Sequence, residues 1–307
     1  MTSYPVNFDP HPTVPGAVVH DAAGDRDETN FAPLFNVKWN VNDDVMAYAT
    51  ISKGFKGGGY DFLSPFPQAS ADDVFEFDKE QVLAYEVGAK MSLLDGAAEM
   101  NIAIFRSEFE DLQVSALAPG GVINFFVDNA AEATSQGVEI DTRWQVTDRL
   151  FSALSIAYLD SAFDKFDNAA CYALQTTGCV NGAQDLGGTD LQFAPDISAN
   201  LHAEYVWPIS NSLEGLAALD VSYTDEYSLA SDGDPLMMQD SFAKLDARFA
   251  LRSADGNWEI ALLGKNLTDE ETTAWGNDVV NAGPFLGTYF IILDRLRTFA
   301  IQGTYRF

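Results

Sequence analysis

The residues in this chain that could do chemistry are few and scattered. Gly57-Gly58-Gly59 could cradle a phosphate, but no Gly-Lys-Ser/Thr ending and no helical pattern follows, so a nucleotide site is not expected. Asp72-Asp73 and the trio Glu108, Glu110 and Asp111 offer carboxylates for proton transfer. Nothing fixes their spacing across loop-like sequence, and solvated loop charge is the simpler reading. Cys171 and Cys179 share a stretch rich in Gly, Asn, Gln and Thr, which reads as a loop. Such a local pair suits a disulfide formed in an oxidising compartment; two free thiols are the alternative, and metal ligation would want further Cys or His nearby. The three histidines, His11, His20 and His202, make no ligand spacing with them. There is no Gly-x-Ser-x-Gly elbow and no His-Glu-x-x-His helix. The expectation is therefore a protein that is not an enzyme, with no catalytic, metal or cofactor site.

The elements around these residues explain more than the residues do. The chain has 307 residues, is 47% apolar and carries a formal charge of −29. That acidity makes nucleic acid an unfit partner. It reads as solvated loops or, more sharply, as carboxylates that draw divalent cations of the kind that bridge lipopolysaccharide phosphates. No apolar run approaches the roughly 18 residues of a spanning helix. Residues 1–30 lack the basic and apolar regions of a signal peptide. Alternation of period two recurs instead. Phe35, Val37, Trp39 and Val41 oppose Asn36, Lys38 and Asn40; Phe299, Ile301, Tyr305 and Phe307 oppose Thr298, Gln302, Thr304 and Arg306.

About eleven strands are expected, roughly at 31–41, 44–53, 80–93, 97–108, 133–146, 149–161, 193–207, 213–225, 241–252, 257–266 and 296–307. Their length of about 10 to 14 residues exceeds the usual 5 or 6 of soluble sheets and suits a tilted crossing of a bilayer. Segments 98–107 and 150–160 are apolar on both faces and cannot be oriented by pattern. Short turns alternate with long connections at about 54–79, 110–132, 162–192, 226–240 and 267–294, the segregation an outer-membrane barrel shows. Trp39, Trp144, Trp207 and Trp258 each lie near a short turn, where a membrane-interface girdle would put them; core tryptophans are the alternative. An odd count of strands leaves one without an antiparallel partner, and an open edge in a bilayer costs several kcal/mol per unpaired group. The expectation is thus a chain that is one part of a barrel, or a truncated product.

Several motifs resemble the barrel domain of TonB-dependent outer-membrane receptors. They are Gly54-Phe55-Lys56-Gly57-Gly58-Gly59-Tyr60, Tyr85-Glu86-Val87-Gly88-Ala89-Lys90, Asp111-Leu112-Gln113, Asn129-Ala130 with Gly137-Val138-Glu139, Lys265-Asn266-Leu267-Thr268-Asp269-Glu270, and Arg297-Thr298-Phe299 with Tyr305-Arg306-Phe307. They stand in the family's order, with Leu296 where the family often has Pro. The resemblance implies an all-β antiparallel transmembrane barrel, residues 31–307 being roughly half of a barrel of about 22 strands. Residues 1–30 would be the remnant of an extracellular loop or an irregular N-terminal segment. The family's plug domain and signal peptide have no counterpart in the chain.

What the resemblance implies of function is uptake of a ferric siderophore or another scarce nutrient across the Gram-negative outer membrane. TonB would be reached only through a missing plug. Tyr305 and Phe307 would form the C-terminal signal for the barrel-assembly machinery, and the outer surface would meet outer-membrane lipid and lipopolysaccharide. Ligand contacts would come from lumen-facing side chains and from loop aromatics such as Tyr60, Phe62, Phe66, Phe125 and Phe126, for which packing within the loops is the alternative. Two other classes of function fit less well: a passive diffusion barrel, which needs closure by itself or as an oligomer, and a soluble all-β binding module, which strand length and loop segregation disfavour.

Overall fold

The computed structural model describes residues 26–60, 76–117, 125–278 and 287–307, with a short strand pair at Val6–Asn7 and Asp21–Ala22. Phe62 and Phe66, and the carboxylates Asp72-Asp73, lie outside the described residues, as do the side chains of Phe125 and Phe126.

Eleven strands form one antiparallel path in strict sequence order. They are β1 (Leu34–Asn40), β2 (Val45–Lys56), β3 (Glu80–Leu93), β4 (Ala98–Leu117), β5 (Phe125–Thr147), β6 (Leu150–Lys165), β7 (Ile197–Ser210), β8 (Leu213–Thr224), β9 (Phe242–Ser253), β10 (Trp258–Lys265) and β11 (Thr298–Tyr305). Each strand of the expected series is present within a few residues, apart from the far ends of β4, β5 and β6. Every short connection is a turn of a few residues. At the β3–β4 turn, Leu94, Asp95 and Gly96 all take positive φ, the last at 86°, which only a residue without Cβ adopts cheaply.

Register sorts the sheet into two chemical faces. Across β1 to β7 one row reads Val37, Ala49, Val87, Ile104, Val138, Tyr158, Ile197. Across β7 to β11 another reads Tyr205, Ala217, Phe249, Leu262, Ile301. Most of these side chains are exposed, Ile301 at 78%, with Val138 and Ala217 half-buried, so nothing among the described residues covers this face as a second sheet would. The opposite face carries Asn40, Met46, Lys90, Asn101, Asp141, Ser155, Asn200, Ser222 and Lys244 in one row. An exposed apolar face backed by a polar one is the two-sided wall of a membrane barrel, with lipid outside and a wet lumen inside. The register also orients the segments that pattern could not. Ile102, Ile104, Ile156 and Tyr158 lie on the apolar face, while Ala103 and Ala157 lie on the polar one beside Glu139.

The expectation that 110–132 is a loop is corrected. β4 and β5 run on to Leu117 and from Phe125, as a long ribbon beyond the apolar band. Pattern missed it because register shifts between Phe109 and Gln113, where Asp111 sits at φ 55°, reset which residues share a face. The 162–192 connection is likewise folded. β6 extends to Lys165, and the pair Ala169–Ala170 and Ala183–Gln184 joins the sheet through Ala116. Phe163, Phe166, Ala169, Leu186, Ala131 and Ala133 bury together there, with Phe109, Leu112 and Val114 packed against them. Further hairpins stand at Tyr227–Ser228 with Met238–Gln239 and at Thr273–Asp278 with Tyr289–Leu293.

Candidate ligand pathway and extracellular cap

On the lumenal face, charged side chains come from residues whose apolar neighbours point to lipid. His202 Nδ1 lies 2.7 Å from Asp220 Oδ1 on adjacent β7 and β8. Lys265 Nζ donates to Asp246 Oδ2 at 2.7 Å, and Ser155 Oγ donates to Asp141 at 2.6 Å. Asn200, His202, Asp220, Ser222, Asp246 and Lys265 line a cleft of about 400 Å³ in this wall. Closer to the short turns, Arg248 pairs with Glu259 and Arg252 with Glu214. In the same rows Leu216, Ala218, Ala250 and Ala261 form a small buried apolar patch. The wall thus offers hydrogen-bonding groups and ion pairs, which suits a polar guest.

The long-connection end carries the loop structure. Cys171 and Cys179 are joined, with S–S 2.06 Å, eight residues apart in sequence. Beside them the Gln184 amide donates to the carbonyls of Ala170 at 2.7 Å and Asp232 at 2.6 Å, tying the disulfide segment to the next connection. Burial pushes the Tyr227 phenol above its ordinary range. Lys244 reaches from β9 to Asp294 at 2.9 Å and Thr272 at 2.7 Å, pinning the base of the 273–293 hairpin. That contact holds the Asp294 carboxyl below the usual carboxylate range.

Two knots at this end were invisible in the sequence because their members are far apart in it. In the first, the Arg26 guanidinium meets Glu28, Glu76 and Asp78, and holds the Glu28 carboxyl low. Gln113 Nε2 donates to the carbonyls of Gly57 and Asp78, both at 3.0 Å. Asn129 Nδ2 donates to the carbonyls of Asp78 and Asp111, both at 2.8 Å. A Cβ on Gly58 would collide with the Phe77 carbonyl and the Arg26 guanidinium. The glycine run therefore admits the Arg26 knot. In the second knot, Asn266, at φ 50° and buried, accepts from the Glu270 amide at 2.9 Å and donates to the Glu270 and Arg295 carbonyls. Asp269 pairs with Arg297 at 2.9 Å.

The other residues singled out in the sequence scatter. Tyr60 lies in the short pair Gly59–Tyr60 with Glu76–Phe77. Trp39, Trp144, Trp207 and Trp258 all stand next to short turns, and in apolar rows: Trp39 opposite Ala47, Trp144 opposite Ser152, Trp207 opposite Gly215, Trp258 opposite Tyr305. The Trp207 indole lies over Gly215, where a Cβ would clash, and stacks on Tyr205 at 6.0 Å. Tyr305 and Phe307 are exposed, their rings 6.4 Å apart. Among the described residues no helix is long and apolar enough to cross a membrane, which says nothing of strands, and no three His, Cys, Asp or Glu side chains gather as a metal site.

The family model described as "TonB dependent receptor-like, beta-barrel" matches residues 5–267. The chain belongs to the TonB-dependent receptor family. It is 28% identical over 151 residues to the metal-pseudopaline receptor of Pseudomonas aeruginosa strain UCBPP-PA14, a match covering 49% of this chain and 19% of that protein. It is 26% identical over 133 residues to the pesticin receptor of Yersinia pestis, covering 42% of this chain and 18% of that one. The ferric yersiniabactin uptake receptor of Yersinia pestis superposes with TM-score 0.68 at 18% identity, over 88% of this chain and 36% of that one. The ferripyoverdine receptor of the outer membrane of Pseudomonas aeruginosa superposes at 0.60 and 12% identity, over 91% and 33%. These superpositions bear on fold alone. The chain spans about a third of the solved receptors and less than a fifth of the curated relatives it matches.

Proposed function

We propose that this TonB-dependent receptor barrel sits in a Gram-negative outer membrane and forms the C-terminal half of the wall through which a chelated metal, a ferric siderophore or a similar complex, is taken up. The observation that carries the reading is the eleven-strand sheet with an uncovered apolar face and a lumenal face of ion pairs and amides. Residues 31–307 are the barrel portion, and 1–30 belong to an extracellular connection. Lipid and lipopolysaccharide meet the outer face. Coupling to TonB runs through a plug domain supplied from elsewhere in the full receptor, and Tyr305 with Phe307 present the terminal strand to the assembly machinery. Ligand is met first by the folded cap, then by the cleft around His202 and Asp220.

The test is binding of ferric and other metal chelates to the receptor that contains this chain, with a plug present, in detergent and in outer-membrane vesicles. Saturable binding at micromolar concentration or below, weakened by His202→Ala, is expected. A receptor that assembles in the outer membrane yet binds no chelate overturns the uptake reading and leaves the barrel intact.

A further inference from the structure

We propose that the turn Asp232-Gly233-Asp234 in the cap binds a divalent cation of the calcium type. Asp234 is 1% exposed, among the most buried large side chains described. One oxygen, Oδ1, accepts from the Leu236 amide at 2.8 Å. The other, Oδ2, is buried and has no hydrogen-bond partner among the described residues. No Lys or Arg of the same connection can pair with it: the 226–240 stretch holds four acidic residues and no Lys or Arg. A buried carboxylate oxygen with neither donor nor counter-charge is costly, so something outside the described protein must neutralise it.

The surroundings say which kind of neutraliser fits. The Asp234 amide donates to Asp232 Oδ1 at 3.2 Å, which brings a second carboxylate against the same turn. The Met237 amide closes on the Asp234 carbonyl at 2.9 Å, and the Gln184 amide holds the Asp232 carbonyl at 2.6 Å, so both carboxylates sit on a backbone anchored to the disulfide segment. A Cβ on Gly233, at φ 70°, would press on Leu186. Two carboxylates, with backbone oxygens and water to complete the shell, form an all-oxygen site of hard ligands, and the cysteines of the neighbouring segment are joined in a disulfide, which leaves no thiolate for zinc. A single bound ion would tie the 226–240 connection to the 162–192 turret.

Limited chymotrypsin digestion of the receptor in detergent reads this out, because Leu236 and Met238 are exposed beside the turn. With calcium as the probe against a chelator, cleavage in 226–240 is expected to slow about tenfold at an ion concentration ten times a millimolar-range Kd. Asp234→Asn should abolish the calcium effect while Asp225→Asn keeps it, with the barrel's gel mobility unchanged in both. Equal cleavage with calcium and chelator overturns the proposal, as does calcium protection that survives Asp234→Asn. If Asp234→Asn opens the loop by itself, binding of radiolabelled calcium to the unmutated receptor decides: near-stoichiometric uptake, lost in Asp232→Asn, supports the site, and none overturns it. Protection by Asp234→Asn without calcium would mean that a proton fills the role.

Discussion

At the scale of single residues, the family motifs hold loops together. Gln113 and Asn129 join β2, β3, β4 and β5 where those strands leave the membrane, and Asn266 with Asp269 joins β10 to β11. Replacing Asn266 by Ala removes four hydrogen bonds around a buried site and puts a Cβ-bearing residue without local compensation at positive φ. A loss of about 4–6 kcal/mol is expected from bonds of about 1 kcal/mol each plus left-handed strain. Asn266→Gly keeps the backbone geometry, so it should cost less; urea midpoints of the folded barrel measure both. The faces give a second pair of substitutions. Ile301→Arg places charge on the lipid row beside Leu262 and should impair insertion at a cost of about 2–4 kcal/mol near the midplane. Gln302→Arg, on the lumenal side beside Ala261, should be tolerated. Equal outer-membrane levels of the two variants would show that the face assignment is wrong.

At the scale of elements, alternation and turn residues made all eleven strands readable, because most strands have one apolar side and the short turns between them carry Asp, Asn, Gly or Ser. What stayed hidden was structure that breaks period two. The β4–β5 ribbon resets its register at Asp111, and the 162–192 turret buries Phe163, Phe166 and Leu186 from non-alternating positions. The candidate site was less legible still: His202 and Asp220 lie on strands that looked merely amphipathic, and only cross-strand register brings them to 2.7 Å. The turret should depend on its cross-link. Closing a loop of eight residues restricts the open chain by about 2.5 kcal/mol in the chain-entropy account. Reduction, or Cys171→Ser with Cys179→Ser, should therefore raise proteolysis between 165 and 192 and leave the barrel's thermal midpoint nearly unchanged. The 273–293 hairpin should depend on pH. Asp294 has a depressed folded pKa, so its contribution is complete above the unfolded value near 4 and fades as pH falls through the lower folded value. The Asp294 side of the pair is half-exposed, so salt should weaken it too. Faster hydrogen exchange in 273–278 and 289–293 below about pH 4, matched at neutral pH by Asp294→Asn, is the expected result; exchange indifferent to pH would remove the anchor role of Lys244.

At the scale of the whole molecule, strand parity decides what can close the wall. Strands alternate in direction along an eleven-strand path, so β1 and β11 run the same way. Their edges are uncovered: β1 is exposed at every residue, and β11 holds no charged residue that would repel another strand. If β11 met β1 of the same chain, or of a second copy turned about the membrane normal, the seam would be parallel, with slanted hydrogen bonds and a register that no other pair in the sheet uses. An antiparallel seam at both edges needs a segment with an odd number of strands whose first and last both run opposite to β1. The chain refolded alone in detergent or lipid should therefore give no compact heat-modifiable species and no steady conductance in planar bilayers. Adding the upstream strands of the same receptor, in cis or as a separate polypeptide, should restore both. Stable channels from the chain by itself would mean that a parallel seam suffices, and the partner-strand requirement would fall while the two-faced sheet stood.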